Sequence, residues 1–233
     1  MKAARVLRKA VLIVVPVTLG FAAIAEGQRL PGVNVLASPA PQIMDPESHY
    51  NTGNNYADKG EYEAAIKEYR AGIAMRPNFP EARLNLGLAL EANGDNDEAI
   101  TEYRTAITEQ KSFPEAHMNL GVALDKKGDH DEAVKEFHLA IAQRSKYPEA
   151  HVSLANSLDD HGDHDGAIAE YRAAINLQKN FPEAHYNLGL ALEHKGDMTG
   201  AAEEYQTALK QRGKFPEAQA ALDRVQGKDK STP

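Results

Sequence analysis

The sequence predicts an all-α solenoid, five stacked helical hairpins followed by a short capping helix, and three observations carry that prediction. Pro46, Pro80, Pro114, Pro148, Pro182 and Pro216 recur every 34 residues, each followed by glutamate. Within a unit the apolar residues fall into two stripes at helical spacing. Leu86, Gly87 and Leu90 make the first, and Ala99, Ile100, Tyr103, Ala106 and Ile107 the second. Gly60, Gly94, Gly128, Gly162 and Gly196 stand between the stripes, where a left-handed residue ends a helix.

Before the repeats, residues 1–25 carry Lys2, Arg5, Arg8 and Lys9, then an uncharged run from Ala10 that ends in Ala23-Ile24-Ala25. That order is a basic region, an apolar region and an A-x-A site, as in a secretory signal peptide. Pro16 and Gly20 interrupt the run, which is shorter than the ~20 residues a spanning helix needs. Cleavage after Ala25 is therefore expected, with a retained membrane anchor as the alternative. Its removal would take away four basic side chains and no acidic one, lowering the formal charge from -8 to -12. Residues 26–45 hold Pro31, Gly32, Pro39 and Pro41 without periodicity and read as a flexible linker.

The array proper is 46–215, divided into 46–79, 80–113, 114–147, 148–181 and 182–215. Proline at the first helical position loses no needed hydrogen bond, and the glutamate after it suits the positive end of the helix dipole. Asp95 with Glu98 and Asp129 with Glu132 have capping-box spacing for the second helix. Residues 216–226 supply a capping helix in which Ala218, Ala221, Leu222 and Val225 cover the fifth unit while Gln219, Asp223, Arg224 and Gln226 face water. Residues 227–233 are expected to be a disordered tail.

Small residues at Gly53, Gly87, Gly121, Ala155 and Gly189, then Ala65, Ala99, Ala133, Ala167 and Ala201, precede aromatics at Tyr69, Tyr103, Phe137, Tyr171 and Tyr205. In period and residue type this resembles the tetratricopeptide repeat (TPR) family. The resemblance implies a right-handed superhelix whose first helices line a concave face that binds extended peptides or helices. The chain departs from the family where a bulky aromatic is usual near the start of the first helix, having His49, Arg83, His117, His151 and His185 instead.

On the expected concave face, Asn51, Asn85, Asn119 and Asn187 share one slot with Ser153, and Asn54 and Asn156 follow three residues later. A carboxamide offers a donor and an acceptor, so it can pair with a peptide backbone without reading side chains. First helices packed about 8–10 Å apart would place one Asn opposite about every third residue of an extended ligand rising ~3.3 Å per residue. The column is similar to the asparagine ladder in the repeats of O-linked N-acetylglucosamine transferases, although Asn in this slot can also simply pack or solvate the helix. Beside it, Tyr50, Leu84, Met118, Val152 and Tyr186 make an apolar column and Glu91, Asp125, Asp159 and Glu193 an acidic one. Together these would favour a basic or neutral segment with apolar anchors, though a solvated face is the commoner fate of such acids.

The partner class follows by exclusion as well. A chain with 26 Lys and Arg against 34 Asp and Glu does not suit nucleic acid, and without cysteine it has no thiol nucleophile or Cys-ligated metal. The resemblance also implies slots in which the family's clamp for carboxyl-terminal peptides has Lys and Arg; here they hold Glu81, Tyr50 or Asn119, which disfavours that ligand. His49, His117, His151 and His185 lie a repeat apart, too far to share one ion at ~2.0–2.1 Å. Asp129-His130-Asp131 and His161-Gly162-Asp163-His164-Asp165 put imidazoles and carboxylates together on inter-helix turns; without a closed ligand set they read as solvated turns, with adventitious divalent-metal binding as the alternative.

No metal centre, cofactor or catalytic arrangement is expected, and no catalytic domain is expected in the eighteen residues after the fifth unit. The functional expectation is an exported, non-catalytic protein, periplasmic or secreted if bacterial. It would bind a protein or peptide and touch the membrane only through an uncleaved leader. The alternative is a self-associating scaffold of an envelope assembly.

Overall fold

The computed structural model describes residues 44–227; the expected leader, nearly all of the linker and the tail beyond Gly227 lie outside that span. Eleven α-helices and, among the described residues, no strand make up the fold. The hairpins are α1 (Pro46–Asp58) with α2 (Tyr62–Met75), α3 (Pro80–Asn93) with α4 (Asn96–Glu109), and α5 (Pro114–Lys127) with α6 (His130–Gln143). There follow α7 (Pro148–Asp160) with α8 (His164–Leu177), α9 (Pro182–His194) with α10 (Met198–Arg212), and the single helix α11 (Pro216–Val225). No helix among the described residues is long and apolar enough to cross a membrane.

Each first helix opens on its proline; Asp45 caps α1 by accepting from the Ser48 N–H at 2.7 Å, whereas α3, α5, α7, α9 and α11 are each preceded by a buried aromatic, Phe79, Phe113, Tyr147, Phe181 or Phe215. The chain therefore enters these five helices through a packed ring and not through a side-chain cap. The turn glycines behave as expected: Gly94 and Gly128 have φ of 99° and 100°, which a side chain would strain.

The capping boxes expected at Asp95 and Asp129 do not form; neither carboxylate caps its helix. Asp163 and Asp197 do cap, accepting from the backbone N–H of Gly166 at 3.0 Å and of Gly200 at 2.9 Å. The difference lies three residues on. A Cβ at Gly166 would fall 2.5 Å from Oδ2 of Asp163, so the glutamates at 98 and 132 occupy the space the cap needs. Those glutamates bind the preceding unit instead, Glu98 accepting from Arg70 and Glu132 from Arg104.

Packing inside a hairpin depends on the small residue of the first helix. Tyr69, Tyr103, Phe137 and Tyr205 lie directly over Gly53, Gly87, Gly121 and Gly189, and a Cβ at Gly53 would sit 2.6 Å from the ring of Tyr69. Those rings are buried, and because no hairpin can cover its own apolar stripe, the core runs on through successive units. At the end, α11 lays Ala218, Ala221 and Leu222 against the last hairpin.

Curvature follows from the contacts between units. First helices touch the next first helices, α1 with α3, α3 with α5, α5 with α7 and α7 with α9, and among the described residues no comparable contact joins the second helices. The solenoid bends toward the first-helix side, which becomes its inner face.

Candidate functional site

The inner face holds the asparagine column, but not as one open row. Asn51 is exposed and Asn54 and Asn156 are half-buried, whereas Asn85, Asn119 and Asn187 are only 4%, 3% and 2% exposed. Asn85 donates to Oδ1 of Asn54 at 2.9 Å and to the Tyr50 hydroxyl at 3.1 Å, and Asn187 donates to Oδ1 of Asn156 at 3.1 Å. In the unit before Asn119 the matching position is Leu88, which offers no oxygen, and the Asn119 amide nitrogen has no partner. Oδ1 of Asn85 and Oδ1 of Asn187 are likewise buried without a hydrogen bond.

The apolar column expected beside it is core. Tyr50, Leu84, Met118, Val152 and Tyr186 are all buried, with Tyr50 packed on Tyr69 and Phe79 and Tyr186 on Tyr205 and Phe215. The reason is helical register. Each lies three residues before the small residue that meets the second helix, so the two share a face and point the same way. These side chains are not available as anchors in this structure.

The acidic column is real, and its charge is matched within the chain. Glu91 accepts from Lys126 at 2.9 Å and from the Tyr103 hydroxyl at 2.6 Å. Asp125 accepts from Ser157 at 2.7 Å and faces His130 at 2.8 Å. Asp159 faces His164 at 2.6 Å and His194 at 3.4 Å. Glu193 takes two hydrogen bonds from Arg224, at 2.8 and 2.7 Å, and one from the Tyr205 hydroxyl at 2.8 Å. Burial works to raise the Glu193 carboxyl, but the bonds from Arg224 and Tyr205 outweigh it and hold the group below its ordinary value. Lys126, Ser157, His194 and Arg224 each belong to the following unit or the cap, so the acids are struts between successive first helices and do not call for a basic ligand.

The same wall explains where the tyrosine hydroxyls go. Tyr69 and Tyr171 donate to Asn54 and Asn156 at 2.7 and 2.6 Å. Where that asparagine is replaced by Leu88 or Leu190, Tyr103 and Tyr205 reach one turn further to Glu91 and Glu193. Burial, then the charge of Glu91, pushes the Tyr103 hydroxyl far above the usual tyrosine range, and burial, then Glu193, does the same for Tyr205.

The residues standing in for the family aromatic tie the two helices of a hairpin together. Nδ1 of His49, His117, His151 and His185 lies 2.7, 2.6, 2.6 and 2.6 Å from Glu68, Glu136, Glu170 and Glu204. Arg83 makes the equivalent pair with Glu102 at 2.8 Å and adds Glu109 at 2.6 Å.

Four other histidines gather at the turns for which the sequence leaves solvation or adventitious metal binding open. Asp125, His130 and His161 offer ligand atoms all within 4.8 Å of one another, and so do Asp159, His164 and His194. A cavity of 410 Å³ opens beside the first group, lined by His130, Asp131, Val134, Lys135, Ser157, Leu158 and His161. Sequence carried a signal for this, since Asp125 with His130 and Asp159 with His164 repeat one spacing in adjacent units. The third member comes from the next unit, which only the stacking reveals.

Comparison with known proteins agrees with this architecture. The family model for the TPR repeat matches residues 53–94, and the tetratricopeptide repeat model matches 92–148 and 152–212. No curated protein sequence matches the chain. Among solved structures, one crystal structure of MamA is 28% identical with a TM-score of 0.64, covering 69% of this chain and 94% of that one. Another, also of MamA, is 25% identical with a TM-score of 0.63, covering 81% and 97%. YrrB, a TPR protein with an unusual peptide-binding site, has the same fold at 20% identity, with a TM-score of 0.62 over 76% of this chain and 92% of its own. With the repeat models spanning more than half its length and its hairpins stacked as they require, the chain belongs to the tetratricopeptide repeat family.

Proposed function

We propose that the protein is an exported adaptor whose inner face binds an extended segment of a partner protein by main-chain hydrogen bonds to Asn85, Asn119 and Asn187. The observation that carries this reading is the set of three inner-wall carboxamide atoms, one in each of three units, buried without a hydrogen-bond partner. Such atoms cost the fold free energy and are rare without a purpose. A backbone laid along the wall would supply N–H groups to Oδ1 of Asn85 and Asn187 and a carbonyl to the amide nitrogen of Asn119. Because the three asparagines are only 4%, 3% and 2% exposed, a ligand reaches these atoms only where the wall opens locally. Recognition of this kind selects an extended conformation more than a side-chain sequence, and the packed state of Tyr50, Leu84, Met118 and Tyr186 removes the apolar anchors that would add sequence preference.

The test uses Asn119→Ala. Because its amide nitrogen is unpaired, truncation should leave the melting temperature nearly unchanged or raise it. Peptides selected from a displayed random library against the wild-type chain should bind the variant more weakly, by a factor of about 2 to 12, the equivalent of one net hydrogen bond of ~0.5–1.5 kcal/mol. Equal affinity in calorimetry would remove Asn119 from the binding face. Concentration-dependent mass in the absence of any peptide would favour the self-associating scaffold. Export is tested by amino-terminal sequencing of secreted material, with a start at Glu26 expected.

A further inference from the structure

The inner wall places an acid at the same point of four successive units, and the side chains answering those acids are of two kinds. Glu91 meets Lys126 and Glu193 meets Arg224, permanent cations. Asp125 and Asp159, in the middle, are faced by histidines in place of a lysine or arginine: His130 with His161 nearby, and His164 with His194. A pair of imidazoles supplies a full countercharge only by taking up a proton or by sharing a metal ion.

We propose that Asp125, His130 and His161 form one binding site for a first-row divalent metal ion such as Zn²⁺, and that Asp159, His164 and His194 form a second, each joining two consecutive hairpins. The donor set is right for such an ion, which takes imidazole nitrogen and carboxylate oxygen at ~2.0–2.2 Å and accepts three protein ligands plus water. Donor atoms around a tetrahedral ion lie roughly 3.3 Å apart. The present separations bracket that value: His164 to Asp159 is 2.6 Å, His130 to Asp125 is 2.8 Å, and His194 to Asp159 is 3.4 Å. Binding therefore needs the two closest pairs to part slightly while the remaining ligand atoms, all within 4.8 Å of one another, close on the ion, with the proton on each carboxylate-facing nitrogen lost or moved to the other ring nitrogen.

The surroundings resemble the outer shell of a metal site. His161 donates Nδ1–H to the Ser157 carbonyl at 2.7 Å, which leaves its Nε2 lone pair as the donor and fixes the ring. Ser157 also donates its hydroxyl to Asp125 at 2.7 Å, orienting the carboxylate. The 410 Å³ cavity beside this group has room for water on the remaining coordination positions. In the second group the Asp159 side chain is 1% exposed and receives imidazoles from α8 and α9. The other five histidines do not compete as sites, since four are taken up by glutamates in the hairpin struts and His138 lies alone on the surface of α6.

The experiment is titration of the untagged full chain with ZnCl₂ by isothermal calorimetry, alongside NMR of the histidine ring nitrogens in the unmodified protein. Two saturable equivalents are expected, with shifts confined to the rings of His130, His161, His164 and His194. The double variants His130→Gln/His161→Gln and His164→Gln/His194→Gln should each reduce the stoichiometry from two to one, and His138→Gln should leave it at two. Zinc should also raise the melting temperature of the wild type and not of the chain carrying all four substitutions His130→Gln, His161→Gln, His164→Gln and His194→Gln. Absence of saturable binding, ring shifts centred on His138 or the strut histidines, or two equivalents retained in the double variants would each overturn the proposal. The ring NMR needs no substitution, so poor folding of a variant does not decide the outcome.

Discussion

Gly121 lies beneath the ring of Phe137 with no room for a side chain: a Cβ there would sit 2.7 Å from Cε1 and 2.8 Å from Cδ1. The ring is 1% exposed and held between units, so it cannot swing aside without opening the core. Gly121→Ala should therefore lose about 1–3 kcal/mol, the range for overpacking a filled interior. In the fourth unit Ala155 already occupies the slot, and Ala155→Gly should cost only about 0.5–1 kcal/mol through helix propensity. Urea unfolding of the two variants compares them. A loss below about 0.5 kcal/mol for Gly121→Ala, well under the overpacking range, would mean the ring yields easily.

Deleting an aromatic tests the same seam from the other side. Tyr103 is fully buried and its hydroxyl is bonded to Glu91, so Tyr103→Ala should cost about 3–5 kcal/mol and loosen the neighbouring units in hydrogen exchange. Protection that fell only within residues 80–113 would show that the units do not share their core.

Alkaline pH should unfold the array through these rings. The hydroxyls of Tyr69, Tyr103, Tyr147 and Tyr205 are all raised, burial being the first cause of each. A folded value above the unfolded value of about 10 means that this contribution is complete below that pH. It is lost as pH climbs toward the folded value, because the unfolded chain releases protons first. Tyrosinate absorbance should rise cooperatively with the loss of helical circular dichroism. A smooth ionisation of all tyrosines near pH 10 with helix intact would contradict the burial.

The histidine struts should register as pairwise coupling. His117 and Glu136 are both largely buried and 2.6 Å apart, so a double-mutant cycle with His117→Ala and Glu136→Ala should show about 0.5–1.5 kcal/mol of interaction at neutral pH. Strict additivity would assign the pair to mere proximity.

Helix caps should differ between units in a way the free space dictates. Asp163→Ala removes a bonded cap and should cost about 1 kcal/mol. Asp95→Ala, at the equivalent position without such a bond, should cost a few tenths at most. Thermal melts of the two variants decide it, and equal losses would show that the capping bond is not what distinguishes them.

Period, breaks and core were legible because they rest on residue types that physics restricts: Pro46 and its successors at helix starts, Gly94 at a left-handed turn, Gly87 beneath Tyr103. The capping boxes misled because Asp95 and Glu98 satisfy a local spacing, while Glu98 is claimed by Arg70 of the unit before, a contact no window of sequence contains. Leu84 and Met118 look like groove residues from their own column alone, but Gly87 and Gly121, three residues on, share their helix face and turn them into the core. The clustering of His161 with Asp125 depends on how far one hairpin is rotated on the next, which the repeat length does not specify.

The struts along the inner wall also make the five hairpins unlike one another in a way their common backbone hides. Glu91 is answered by lysine, Asp125 by serine and histidine, Asp159 by histidine and Glu193 by arginine, each from its own neighbour. Exchanging two hairpins would keep every helix and every glycine yet set acids against the wrong partners. The serial order of the modules is thus part of the structure, written in side chains that change from joint to joint.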